Sequence, residues 1–373
     1  MSAISKPDEA GSTAPALDEY FAAPIRRIRA AAASIDGRKR WDVLMIARRG
    51  EAIDMSEFDI APPAPIRTLT IARTDEEMAA LKGPFDLCIV CIRVTDEELL
   101  IKQVRDRRLA SVIVGWGWDN HHSRKRNLQI APMTDLFLPA HVYCAPYLMS
   151  PHSVLGCHMP LGTYQWSRKA AASLFAQYRD RPRDDALHGG YVAWNITQER
   201  ADFVRQLIEG LDGHALRLLG GNGRSRYFGQ GAEDRWLDWA THKVGLILPF
   251  QKDLSTRFFD SLMTGQVPIV PDWCVDFATV IDDATARSLP VVRLAEESVP
   301  AVKRAWAEAV ARYDEDGVAG AERRHQYALQ NHHLIHRLAP ICLQVRALAA
   351  SDARIEIRTG MGAVGPVLIG KGR

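Results

Sequence analysis

Between Trp41 and Trp118 the chain repeats one pattern: an apolar run of strand length, a polar turn, then apolar residues at helical spacing. The runs are Trp41–Ala47 (WDVLMIA), Ile66–Ala72, Phe85–Ile92 (FDLCIVCI) and Ser111–Trp118 (SVIVGWGW). Continuous rather than alternating apolarity predicts strands buried on both faces, and so a parallel sheet. The segments between them carry helix starts, since Thr74 with Glu77 and Thr95 with Glu98 each form a capping-box pattern. Short strands at Asp135–Leu138 and Ser153–Cys157 extend the same alternation.

From Pro160 to Leu187 the character changes, and the polar stretch RDRPRDDALHGG reads as a boundary. A second alternation follows. It predicts strands at Gly190–Trp194, Ala215–Leu219, Lys243–Leu248, Val267–Val270 and Val291–Leu294. Helices are predicted from Thr197 to about Leu211, over Glu233–Ala240 and over Arg257–Thr264. Two helical segments, near Pro300–Tyr313 and Ala321–Ala349, come last, and Ser351–Arg373 reads as weakly structured or packed as an edge. The expected fold class is α/β, with two Rossmann-like domains in series over 41–165 and 186–335. An N-terminal extension covers 1–40, and a C-terminal helix and tail cover 336–373. Within the extension, Leu17–Ile35 predicts one helix made basic by Arg26, Arg27 and Arg29, with Arg38, Lys39 and Arg40 just beyond. A peripheral membrane contact is one reading of it. A helix packed on the domain with a solvated basic face is the preferred one.

Composition narrows the class. The 373 residues carry 47 Lys plus Arg against 45 Asp plus Glu, a net charge of +2, which argues against a nucleic-acid binder. At 47% hydrophobic and 25% charged residues the chain is too apolar for disorder. Its longest apolar runs fall well short of the roughly 20 residues that cross a bilayer, and the polar first twenty residues lack a signal core. Of six cysteines only Cys88 and Cys91 lie close together. No second C-x-x-C answers them, so neither a zinc site nor a disulfide framework is expected. In a strand the two point to opposite faces, which favours burial. A reduced, cytoplasmic location is expected.

The segment richest in chemistry is Lys243–Asp272, KVGLILPFQKDLSTRFFDSLMTGQVPIVPD. A buried strand, a polar loop and a helix opening near Ser255 place free backbone N–H groups and a positive dipole end at the C-terminal edge of a sheet. Lys252 and Arg257 add charge suited to a diphosphate, and Asp260 lies one turn inside the helix. The string S-x-R-F-F-D-S-L-M-x-G-x-V-P-I-V resembles the donor-binding signature of nucleotide-sugar glycosyltransferases of the two-Rossmann GT-B fold. It is most similar to the exostosin-like and spore-maturation-like branches, with Ser255, Arg257, Phe259, Leu262, Gly265 and Pro268 at the matching positions. The resemblance implies that Asp260 stands where the family has a Glu on the nucleotide ribose. Lys252 stands where retaining members carry their other Glu, which points to an inverting reaction. Gly189–Arg200 (GGYVAWNITQER) is similar to the opening of the family's C-terminal domain and implies a phosphate contact for Arg200.

The other notable cluster is Gly115–Ser123, GWGWDNHHS, at the end of a buried strand. Trp116 or Trp118 suits a sugar face, with His122 beside them as an acceptor or sugar contact. Asp119 or His121 is the candidate base for the acceptor hydroxyl. No metal site is expected there, because Asp119, His121 and His122 lack a fourth ligand at a known spacing. Gly220, Gly221 and Gly223 lack the third glycine of a dinucleotide loop. His325, His332, His333 and His336 are expected on a solvated or capped helix face. The expected reaction is transfer from a nucleoside-diphosphate sugar, a co-substrate with no other cofactor, to a glycan, a lipid-linked glycan or a protein. A sugar-nucleotide epimerase or hydrolase, or a non-catalytic glycan- or nucleotide-binding relative, are the alternatives.

Overall fold

The computed structural model describes residues 22–33, 40–47, 63–92, 97–118, 124–141, 154–156, 158–192, 197–220, 227, 229–249, 251–349, 354–360 and 363–369. The first sheet comprises β1 (Trp41–Ile46), β2 (Ile66–Ala72), β3 (Phe85–Ile92), β4 (Ala110–Gly117), β5 (Leu136–Pro139) and β6 (Val154–Leu155). It is parallel throughout, in the order β2-β1-β3-β4-β5-β6. Helices α1 (Ala22–Ala33), α2 (Asp75–Ala80), α3 (Glu97–Asp106) and α4 (Arg124–Ile130) belong to this half. Strand alternation divides its core in two. Leu44, Cys88, Val90 and Ile113 face Met78, Leu100 and Val104 of α2 and α3. Val43, Met45, Leu87, Cys91 and Val112 face the other side, where Ile28 of α1 packs. Cys88 and Cys91 thus lie on opposite faces, both free and buried. The Thr74–Glu77 capping box forms, whereas Thr95 lies outside the described residues.

Helix α1 takes the packed reading. Ile28 is fully buried, Arg26 and Arg27 are exposed, and Arg29 donates to the Leu348 carbonyl at 3.4 Å.

After α5 (Arg168–Tyr178), begun by the N-cap Ser167, the second sheet forms from β7 (Asp184–Val192), β8 (Ala215–Leu219), β9 (His242–Leu246), β10 (Val267–Pro271) and β11 (Val292–Leu294). Its order is β11-β10-β9-β7-β8, again parallel. Strand β7 begins six residues before the expected Gly190, inside the charged stretch, because Asp184 pairs with His242 at the start of β9. The helices are α6 (Gln198–Gly210), α7 (Ala232–Ala240), α8 (Thr256–Met263), α9 (Phe277–Val280), α10 (Asp283–Ser288) and α11 (Val299–Asn331). The expected helix Ala321–Ala349 is broken. Its first part ends α11, which bends at Gly317; a 3-10 turn follows over Leu334–Arg337. Then α12 (Leu338–Ala349) returns to the first domain and buries Leu338, Ile341 and Val345 against the first sheet. The tail carries an antiparallel hairpin, β12 (Arg354–Gly360) with β13 (Ala363–Ile369).

Helix α8 is the most constrained element. Phe258, Phe259, Leu262 and Met263 are all fully buried, each worth about 1.5–3 kcal/mol of transfer free energy. Its C-terminus closes as a Schellman motif: Gln266 N donates to Ser261 O and Gly265 N to Leu262 O, both at 2.9 Å. Gly265 adopts φ +85°, and a Cβ there would lie 3.0 Å from the Ala321 Cβ. Gly265→Ala is therefore expected to destabilise the protein by about 1–3 kcal/mol, read as a lower midpoint in urea with unchanged slope.

Candidate functional site

The two sheets meet at their C-terminal edges, where open α/β sheets place ligands. His141, just past β5, has Nδ1 2.9 Å from Asp276 Oδ2, just past β10, and both side chains are buried. Beside it His158 Nε2 donates to the Ala140 carbonyl at 2.8 Å, and Nδ1 lies 3.0 Å from Thr279 Oγ1, which donates to the Asp276 carbonyl at 2.7 Å. Burial holds the His158 pKa below its ordinary value.

The β9-to-α8 connection lies on this edge. Its backbone is tied down by Asp253, whose Oδ1 accepts from Gln251 N at 2.8 Å, and by Cys274 Sγ, which lies 3.1 Å from the Asp253 carbonyl. Ser255 caps α8. Arg257 follows in the first turn, which holds no acidic residue. A cation here opposes the helix dipole, by about 0.3–1 kcal/mol at an exposed site, and is relieved by a bound anion. The guanidinium is held by three acceptors: Gly190 O at 2.5 Å, Leu248 O at 3.2 Å and Ser255 Oγ at 3.3 Å. It also lies over the Tyr191 ring at 4.8 Å. Lys252 is exposed in the same loop, and its carbonyl accepts from Asp276 N at 3.3 Å. Ser255 and Arg257 are thus brought together, and Lys252 lies three residues before Ser255 in the same loop.

Asp260 departs from the expected ribose contact. It is 2% exposed, with Oδ1 accepting from Thr163 Oγ1 at 2.6 Å and Oδ2 from Gln165 Nε2 at 2.7 Å. The carboxylate therefore faces the interdomain linker. Burial raises its pKa to about 6 against those two hydrogen bonds. Gln165 in turn accepts at Oε1 from Tyr227 OH at 3.0 Å, and Tyr227 OH accepts from Trp239 Nε1 at 2.8 Å.

Other expectations change as well. Arg200 is paired with Glu297 and lies 4.1 Å from the Trp273 ring centroid, so its charge is already compensated. Trp116 is fully buried, donating from Nε1 to Met159 O at 2.8 Å. Trp118 is buried too, edge-on to Trp116 and stacked on Tyr164 at 6.0 Å. Both indoles are core, and neither offers a face to a sugar. Asp119, His121 and His122 lie outside the described residues, as does the glycine loop from Gly221. The histidine cluster is interior rather than solvated. His325 stacks on Phe175 at 4.1 Å and donates to Met263 O at 2.5 Å, while burial lowers its pKa to about 4. His332 and His333 are buried as well, and His336 donates to Leu329 O at 2.9 Å. Among the described residues no group of His, Cys, Asp or Glu is placed to hold a metal ion. Nor is any helix among them long and apolar enough to cross a membrane.

Sequence reasoning passed over Thr163, Gln165 and Arg337. Their partners are distant in the chain, Asp260 for the first two and the carbonyls of Pro160 and Leu161 for the third, and no local pattern marks them.

No family model and no curated protein matches the sequence. Among solved structures the chain is similar to an α,α-trehalose 6-phosphate synthase from Burkholderia multivorans, at 12% identity over 74% of this chain and 73% of that one, with TM-score 0.45. It is also similar to the N-terminal domain of trehalose-6-phosphate phosphatase from Candida albicans, at 9% identity over 88% and 93%, with TM-score 0.48. A sucrose-phosphate synthase from Thermosynechococcus elongatus is similar at 14% identity over 86% and 91%, with TM-score 0.43. The assignment to two Rossmann-like α/β domains rests on the two parallel sheets themselves.

The shifted groups set a pH signature. His242 and His325, lowered by burial to about 4, stabilise the fold above the ordinary imidazole value near 6.5 and lose that contribution as pH falls toward 4. Asp260, raised to about 6, acts oppositely: its contribution is complete below pH 3.8 and is lost as pH rises through about 6. Asp260→Asn removes the opposing titration. Between pH 4 and 6 the variant's stability should therefore rise with pH more steeply than the parent's, by up to about 1.4 kcal/mol per pH unit. Parallel denaturant titrations at several pH values read the two slopes.

Proposed function

We propose that the protein is a glycosyltransferase that takes a nucleoside-diphosphate sugar as donor. The observation that carries this reading is the start of α8: a capped helix N-terminus with Arg257 in its first turn, no acid there, and Lys252 exposed in the loop before it. It lies at a sheet edge turned toward the C-terminal edge of the other domain. Such a place accommodates a diphosphate and stabilises the charge that grows on it as a leaving group. The resemblance of the Ser255–Pro268 segment to the donor signature of GT-B transferases supports the same assignment.

In this reading the acceptor occupies the first domain, and Asp119 or His121, directly after β4, serves as base. The base takes the acceptor hydroxyl proton while the oxygen bonds to the anomeric carbon. The bond from that carbon to the diphosphate breaks, and its electron pair leaves with the phosphate oxygen. One displacement inverts the anomeric centre. Arg257 has two functions: it holds the ends of β7 and β9 through their carbonyls, and it supplies charge beside the diphosphate. The ribose contact first assigned to Asp260 is not part of this reading.

Thermal denaturation with UDP- and GDP-sugars, and with a CMP-sugar as the monophosphate control, is the direct test: one diphosphate donor series should raise the melting temperature and the CMP-sugar should not. Lys252→Ala should weaken that donor about 3- to 10-fold, the worth of one partly exposed cation on a phosphate, without altering stability in the absence of ligand. No shift with any donor counts against the whole reading. A donor isomerised or hydrolysed without an acceptor favours the epimerase or hydrolase instead.

A further inference from the structure

The donor edge lies at the start of α8; at the other end of that helix two arginines are held close together inside the protein. Arg183, the residue before β7, donates from Nη2 to Thr264 O at 2.8 Å. Arg324, in the second half of α11, donates from Nε to Gly265 O at 3.1 Å. Those carbonyls are consecutive, and successive Cα atoms lie about 3.8 Å apart, so the two guanidiniums share one locality. Both also lie over the ring of Tyr313, with Cζ 5.5 and 5.4 Å from its centroid. Tyr313 and Arg324 are eleven residues apart in α11, about 16 Å along a straight helix. The bend at Gly317 brings the ring and the guanidinium together.

The charge of this pair is only partly answered. Asp316 lies 3.0 Å from Arg324 Nη1, but it also pairs with the exposed Arg323 at 2.7 Å. Arg183 has no carboxylate partner among the described residues. The carbonyl end of a helix contributes about half a negative elementary charge, against two full positive ones. Donors are left over as well. Arg183 Nε and Nη1 and Arg324 Nη2 are buried and meet no acceptor among the described residues. A buried donor left without an acceptor costs about 1–3 kcal/mol, and more on a charged group. Arg324 is fully buried and Arg183 half-buried, so Arg183 lies on the solvent side of the pair.

A tetrahedral oxyanion meets both needs, because its oxygens accept from several N–H groups while its charge offsets the guanidiniums. Water meets only the first. We infer that Arg183 and Arg324 form an anion site that takes a phosphate group, free or at the end of a monoester. Helix α8, whose eight residues span about 12 Å, separates it from Ser255 and the donor edge. The site therefore does not rest on the glycosyl-transfer reading.

Amide hydrogen exchange on the full chain, in phosphate and in chloride at equal ionic strength, tests it. The Gly265 and Gln266 amides report, since they close the turn whose carbonyls the arginines hold. At ten times its dissociation constant, inorganic phosphate should slow both about tenfold relative to chloride. Glycerol phosphate titrated in parallel distinguishes the two sources: tighter binding than inorganic phosphate assigns a monoester, weaker binding the free anion. Arg183→Gln, which keeps a donor for Thr264 O, should abolish the response, and Lys252→Ala at the donor edge should retain it. Asp316→Asn removes the competing carboxylate and should tighten phosphate about 2- to 5-fold, the worth of one partly exposed charge. Equal exchange in phosphate and chloride overturns the site. A response that survives in Arg183→Gln overturns it too, as does one that Lys252→Ala removes, which places the anion at the start of α8. Unchanged or weaker phosphate binding in Asp316→Asn overturns the charge balance on which the site is built.

Discussion

Everything at the domain junction depends on one short helix being held at both ends. The last carbonyls of α8 and its closing turn are taken up by side chains from outside it: His325 on Met263 O, Arg183 on Thr264 O and Arg324 on Gly265 O. These groups satisfy acceptors a helix end otherwise leaves to water and place cationic side chains at its negative pole. With that end fixed and the phenylalanines buried, the first turn projects its capped N-terminus at the sheet edge. Middle and start are tied in turn, by Asp260 to the linker and by Arg257 to the strand ends.

The surrounding electrostatics follow from burial. Arg324 is fully buried, and its pKa is lowered to about 10 although Asp316 lies 3.0 Å from Nη1. Arg337 is likewise lowered to about 10 by burial. Both stay charged at neutral pH, and their hydrogen bonds go mostly to backbone carbonyls rather than carboxylates. His325 and His332, whose pKa values burial lowers, serve as stacking and hydrogen-bonding units. Removal of the Arg337 guanidinium would leave three carbonyls, those of Pro160, Leu161 and Asn331, without this donor, whereas Arg324 serves one, that of Gly265.

Much of the architecture was legible along the chain. Apolar runs buried on both faces became parallel strands, and the three-residue spacing of Cys88 and Cys91 sent them to different halves of the core. The strand–loop–helix at Lys243–Thr264 was readable because Ser255, Gly265 and the apolar face of Phe258, Phe259 and Leu262 are local signals. Trp116 and Trp118 misled because a strand-end loop rich in aromatics resembles a sugar platform. What their rings touch depends on Met159 and Tyr164, which no local pattern connects to them. The histidines near the C-terminus misled likewise, since helical spacing does not reveal that α11 and the following turn run through the junction.

Local chemistry was thus sufficient for the elements, their parallel pairing and the capped start of α8. Strand burial, helix caps and glycine conformation are decided within a few residues, so the sequence contains them. Only the folded chain decided what Asp260 is for. A carboxylate one turn into a helix reads as a ligand until Thr163 and Gln165, nearly a hundred residues earlier, take both its oxygens. The same holds for Arg337, whose four acceptors come from two separate segments of the chain. Hydrogen bonds between distant segments exist only after the domains are placed, and they turn a candidate ligand contact into part of the joint.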